Sequence, residues 1–330
     1  MRYYKIVLKN ATSGEVIRPA SMTNLDADSS YASYAGGATL PGALNVELDL
    51  PVSSFATPAG AAYVKIWGVS LAEIAQSNDL AGCKIEVYGG MQKGLPLAKP
   101  AQAGLLVQGV VSQAFGNWVG TEMSLDLIVV ADAGTSEAPK NIVLDWKKGA
   151  TLSDALSSTL TNAFPGSTAK INIDPGLVAT QDQQGFYATM TQLNSYLVSA
   201  SKGIIKRDGY IGVQVAQLGN AFNVYDGTTK STPKEIAFED LLGQPTWIGP
   251  SVVQFKTVMR ADVVLDDYVK LPAPQVSATA AGTPPFGSGI KQKSAFQGSF
   301  QIIDVHSYGS FRQPDAYAWN TTFNAVPELQ

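Results

Sequence analysis

Glycine and proline punctuate residues 235–271 so closely that few backbone paths stay open to them. Residues 236–242 read as a short helical piece ended by Gly243. Gln244-Pro245-Thr246 then forces extended or turned backbone, because proline has a fixed φ and no N–H donor. After Gly249-Pro250, Val252, Gln254, Lys256 and Val258 alternate with Val253, Phe255, Thr257 and Met259, the period of a strand with one buried face. A second strand is expected from Val263, broken at Asp266-Asp267 before residues 268–271. The expected unit is a small helix held against a hairpin by a glycine-proline elbow.

The same period of two recurs through the first 130 residues. Tyr4, Ile6 and Leu8 alternate with Lys5, Val7 and Lys9. Leu44, Val46, Leu48 and Leu50 give the clearest alternation, with Asn45, Glu47 and Asp49 toward solvent. Residues 21–39, rich in Ser, Ala, Asp and Gly, read as a long loop. A strand over 63–68 leads to Ser70 and Glu73, spaced as a capping box, and to a short helix with Leu71, Ile74 and Ala75 inward. Further strands are expected over 84–88, 104–113 and 121–132, the last two as a hairpin across 115–120. Together these are enough strands to close a small barrel.

Residues 131–140 change composition and read as a boundary linker. A middle α+β region follows. Thr151 caps a helix carrying Leu152, Ala155, Leu156, Leu160 and Phe164 at helical spacing. Residues 169–173 form a strand, and residues 185–200 a second helix with Phe186, Met190, Leu193 and Leu197 on one face. Residues 204–215 read as a hairpin over Asp208-Gly209, followed by a strand at 221–225. Residues 272–289 lack periodicity and read as a flexible loop, after which Phe300, Ile302 and Asp304 alternate with Gln301, Ile303 and Val305. The fold class is mainly β with an α+β middle segment. The expected domains are two tube-like β-barrels, 1–140 and 204–330, with the middle domain at 141–203 between them.

Composition narrows the function. Of 330 residues 45% are hydrophobic, enough for a sizeable core, but only 15% are charged. Such a surface is rich in small polar residues and suits a protein that covers much of itself with neighbours. A net charge of −4 gives no electrostatic reason for tight or specific nucleic-acid binding. The single Cys83 excludes an internal disulfide and reads as a buried, inert thiol. Residues 1–10 look like a strand rather than a signal peptide, and no apolar run is long enough for a membrane span.

Catalytic, cofactor-binding and metal sites are expected to be absent. His306, the one histidine, reads as a hydrogen-bonded structural group at a strand end. Glu122, Asp126 and Asp132 lie along one hairpin arm, and Glu122 with Asp126 would share a face; a glycosidase pair competes there with a plain solvated face. Glu239-Asp240 and Asp266-Asp267 sit at turns, where acidic residues cap and solvate. The residues alone leave open a carbohydrate-binding or polysaccharide-active β-barrel protein of a virion.

The order of the pieces resembles the central baseplate hub proteins of contractile phage tails, the T4-type and Mu-type hubs. The likeness rests on the elbow around Leu241, Gly243, Pro245 and Trp247, on the strand ending at Arg260, and on ADVVLDDYVKL. KIEVYGG, GLLVQGVVSQ and MSLDLIVVAD follow the same order, although Leu106 or Val107 stands where the family has an aromatic. The helix around Leu152 to Leu156 and the ending GSFQIIDVHSY, with Trp319 and Thr321, also fit. Residues 21–60 carry none of it. The resemblance implies a structural protein that is not an enzyme and that assembles into the tail baseplate of a virion in the host cytoplasm. It further implies a homotrimeric ring adapting the sixfold tail tube to the threefold spike, with DNA passing through. Its partners would be the tail tube protein, the spike or puncturing protein, other baseplate proteins and the tape measure. A distal ring protein of a non-contractile tail is a neighbouring alternative.

Overall fold

The computed structural model describes residues 1–55, 61–92, 99–130, 141–229, 231–249, 251–272, 296 and 298–328. The expected linker at 131–140 and all but one residue of the expected loop at 272–289 lie outside the described residues. The protein is mainly β, with 46% of residues in strands and 16% in helices.

The first stretch supplies β1 (Arg2–Lys9), the two-residue bridges β2 (Tyr31–Ala32), β3 (Tyr34–Ala35) and β4 (Ala38–Thr39), then β5 (Asn45–Ser53), β6 (Ala62–Trp67), β7 (Lys84–Met91), β8 (Gly104–Val119) and β9 (Glu122–Val130). Their alternating apolar residues fill one core. Tyr4, Ile6, Leu8, Val46, Leu48, Leu50, Val64, Ile66, Leu125 and Leu127 are all nearly inaccessible. Each such side chain contributes about 1.5–3 kcal/mol on leaving water. The loop before β5 is held to β1 from its side: Ser33 Oγ accepts from the Tyr4 N–H and Ser30 Oγ from the Leu8 N–H, both at 2.9 Å. Cys83 is buried and free. Helix α1 (Leu71–Ala75) carries the full capping box of Ser70 and Glu73, but Leu71 and Ala75 are exposed. Five residues present a single narrow face, and Ile74 fills it by packing over Gly116, where a Cβ would come within 2.7 Å.

The middle region holds β10 (Ile142–Trp146), helix α2 (Leu152–Ala163), β11 (Thr168–Asn172), β12 (Gln183–Tyr187), helix α3 (Met190–Ile204), β13 (Gln214–Leu218) and β14 (Ala221–Tyr225). Helix α2 buries the expected stripe, with Thr151 Oγ1 accepting from the Asp154 N–H. The second helix starts five residues later than expected. Residues 183–187 instead pair as a strand with β10, and Phe186 is exposed. Helix α3 then runs through Ile204, so the expected hairpin at 204–215 does not form. The hairpin is β13–β14, turned at Gly219-Asn220. The two helices and this sheet share a core that runs from Ile142 to Val224.

The last stretch gives β15 (Lys234–Glu235), β16 (Thr246–Gly249), β17 (Val252–Val258), β18 (Tyr268–Lys270), β19 (Ser299–Ser310) and β20 (Trp319–Pro327). The expected helix at 236–242 shrinks to a 3-10 turn, Phe238–Asp240. Its continuation is drawn off by β17: the Leu242 N–H donates to the Lys256 carbonyl at 2.8 Å. Val253, Phe255 and Thr257 are buried as the alternation requires. The hairpin partner of β17 is β16 before it, not the chain after it; residues 263–267 turn, with Asp266 at φ 71. In β19 a bulge between Ile302 and Asp304 inserts one residue, so the buried set shifts from Phe300 and Ile302 to Val305 and Ser307. A third core gathers Phe255, Val269, Phe300, Ile302 and Phe323 with Tyr225.

The first and last stretches form one continuous sheet. Its path runs β16-β17-β20-β19-β5-β6-β9-β8-β7-β1-β2, joined where Asp304–Ser310 of β19 pair antiparallel with Glu47–Ser53 of β5. The path is open, and no closed barrel is seen among the described residues.

Candidate functional site

The carboxylates singled out along β9 do not converge. Asp126 is buried and accepts from the Tyr63 hydroxyl and the Asn117 side-chain amide, with Lys65 Nζ at 3.3 Å. Burial pushes its carboxyl up, but these donors outweigh that and hold it below the usual carboxylate range. Glu122 is exposed at the start of the strand. Four residues of extended chain separate the pair by roughly 13 Å, beyond the spacing of a glycosidase acid and its partner. Asp132 lies outside the described residues. The hairpin turn is tighter than expected, since β8 continues to Val119 and β9 starts at Glu122.

His306 lies in the middle of β19, not at its end, and its Nε2 bonds Asp49 Oδ1 across the β5–β19 junction. Both side chains are partly exposed. Among the described residues no three His, Cys, Asp or Glu side chains are placed to hold a metal ion, and no helix is long and apolar enough to cross a membrane.

Glu239-Asp240 and Asp266-Asp267 are not merely solvated turns. Asp240 is buried and accepts from Gln102 Nε2 at 2.9 Å, Lys99 Nζ at 3.1 Å and Arg260 Nη1 at 3.3 Å. Arg260, only 3% exposed, donates through Nε and Nη2 to Asp262 at 2.7 and 2.6 Å. This network ties the chain before β8 to the segment after β17. Asp267 Oδ2 accepts from the Val264 N–H at 2.7 Å and from Lys234, which fixes the neighbouring turn.

Beside that network lies a cavity of about 330 Å³, bounded by β11, β13 and β14, by residues 260–267 and by the start of β8. Strand register sets Ala216, Asn223 and Lys170 side by side across the three strands. Asp266 faces them; Gln301 Nε2 donates to its Oδ1 at 2.8 Å. Burial pushes the Asp266 carboxyl up to about 6, against the lowering influence of Gln301, Asn172 and Lys170. Asn223 gives no signal in the sequence, where it looks like an ordinary polar strand position. The cavity joins segments far apart in the chain, and period-two alternation carries no information on which faces meet.

Two surfaces are apolar and open. At the tip of the β8–β9 hairpin Phe115, Trp118 and Val119 are exposed, Trp118 by 63%. On β16, the strand at one end of the sheet path, Trp247 and Ile248 are exposed, and Trp247 stacks on Phe296 with ring centroids 5.9 Å apart.

No family model matches the chain, and no curated protein matches it by sequence. Solved structures do match in fold. The 43 kDa tail protein of prophage MuSo2 from Shewanella oneidensis superposes with a TM-score of 0.54 at 8% identity, over 99% of this chain and 98% of that one. A tail protein from Neisseria meningitidis gives 0.49 at 10% identity, over 98% and 97%. An E. coli component of the type VI secretion system gives 0.48 at 10%, over 86% and 73%. At 8% identity the likeness to the Shewanella structure establishes the fold.

Proposed function

We propose that this chain is the structural hub of a contractile phage or phage-like tail baseplate and is not an enzyme. The observation that carries the reading is the end-to-end match in fold to a prophage tail protein, which leaves almost no part of either chain unmatched. In this reading residues 1–140 and 204–330 act as two tube-like domains, with 141–203 as the domain between them. Three chains close into a ring, so six similar strand groups meet the sixfold tail tube while the threefold spike docks on the other face. The tail tube protein, the spike, other baseplate proteins and the tape measure are its partners, and the assembled virion tail is its location. A lumen of neutral and acidic residues lets DNA pass without being held.

Two features support assembly. The long sheet is divided between two separate apolar cores, as two fused tube-like domains require. Exposed Trp118 and Trp247 are the residue type that anchors interfaces, and they sit at a hairpin tip and a sheet edge. Cyclic closure would also cover open strand edges. Light scattering on the purified chain, alone and with the spike protein, tests the reading: the expected mass is three chains in the complex. One chain per spike trimer would overturn it.

A further inference from the structure

The cavity beside Arg260 carries a polar atom that the fold leaves unanswered. Asn223 shares the sheet face of Ala216 and Lys170, and its buried Oδ1 has no partner among the described residues. Buried acceptors without donors are rare and cost stability until a donor arrives. Asp266 adds a buried carboxyl, held in left-handed backbone on the same cavity.

The cations nearby do not balance these acceptors. Arg260 is engaged by Asp240 and Asp262. Lys170 is exposed at the rim and acts on Asp266 only through its field. The other charged and titratable groups that act with Asp266 are Asp267, Tyr225 and Tyr268. The remaining wall is aliphatic, with Leu106, Leu218 and Leu265. Apolar walls, a few convergent polar atoms and a volume of some hundreds of Å³ are the usual make-up of a small-ligand site.

We propose that this cleft binds a protonated aliphatic amine, whose N–H donors answer Asp266 and Asn223 while its methylene stem lies on the leucine wall. The amine comes either from a free di- or polyamine or from a lysine side chain on an extended peptide. Strand β11 is one of the two outer strands of its three-stranded sheet and gives such a peptide a backbone edge to pair with.

Calorimetric titration of the full chain tests this with 1,5-diaminopentane, with the capped peptide acetyl-Gly-Lys-Gly-amide, and with 1-pentanol as an uncharged stem. Saturable binding of an amine, absent for pentanol, is expected. Asp266→Asn should weaken it roughly tenfold or more. Asparagine tolerates left-handed backbone and keeps the bond from Gln301, so the fold survives that substitution, and a melting curve verifies it. Lys170→Gln removes the competing cation and should tighten binding. Tighter peptide than diamine binding assigns the amine to a partner chain, and the reverse order to a free polyamine. No saturable amine binding, equal affinity in Asp266→Asn, or weaker binding in Lys170→Gln overturns the proposal.

Discussion

The indole N–H of Trp319 donates to the carbonyl of Gly90 at 2.9 Å, across 229 residues of chain. The bond fastens the start of β20 to β7, so this last strand is locked into the core of the first stretch. Trp319 belongs to that core together with Met259, and Gly309 lies directly under its ring.

Trp319→Phe removes this donor, while the Gly90 carbonyl keeps its ladder partner Tyr3 in β1. The expected loss is about 0.5–1.5 kcal/mol for the hydrogen bond, read as a lower urea midpoint. Gly309→Ala should be at least as damaging, because a Cβ there would stand 2.6 Å from the Trp319 ring. An unchanged midpoint in both variants would mean the two stretches are not coupled through this contact.

Arg260→Met should destabilise the chain by about 3 kcal/mol, because it strips the buried Asp240 of its nearest buried cation. Adding Asp240→Asn should recover part of the loss, since the uncompensated carboxylate is then gone. Strict additivity of the two substitutions in chemical denaturation would contradict a shared network.

Asp266 sets a pH dependence of definite sign. Its folded carboxyl, pushed up to about 6, lies above the value of an unfolded aspartate, so the folded state binds the proton more tightly. The group's stabilising contribution is present in acid and is lost as pH rises from about 4 to about 6. Asp266→Asn should therefore stabilise the protein at pH 7.5, by at most about 3 kcal/mol, and the gain should vanish near pH 4. Melting temperatures of the two proteins across that range measure it. A gain that grows toward acid would reverse the assignment.

Much of this fold was legible because burial writes itself into a period of two or of 3.6. Val46, Leu48 and Leu50, Val253 and Phe255, and the α2 stripe all bury as their spacing requires. Alternation fixes a face and says nothing about the partner strand. Alternation from Val263 thus suggests a hairpin with β17, whereas β16 and β20 flank that strand. Residues 185–187 fit a helical spacing through Phe186, although pairing with β10 decides the structure. The bulge after Ile302 and the cavity around Asp266 depend on tertiary contacts that single-strand patterns do not record.

Trp118→Ser tests whether the hairpin tip serves the neighbours rather than the fold. The side chain is 63% exposed, so stability should change by less than about 0.5 kcal/mol. Incorporation into tail particles should drop severalfold in the same variant. Normal particles carrying the substituted chain would remove this tip from the assembly surface.

An electron cryomicroscopy structure of the assembled tail tip tests the central claim most directly. The account predicts one ring of three copies of this chain at the end of the sixfold tube, with residues 1–140 and 204–330 alternating around the lumen. Six copies per ring, or one strand group per chain facing the tube, would contradict it.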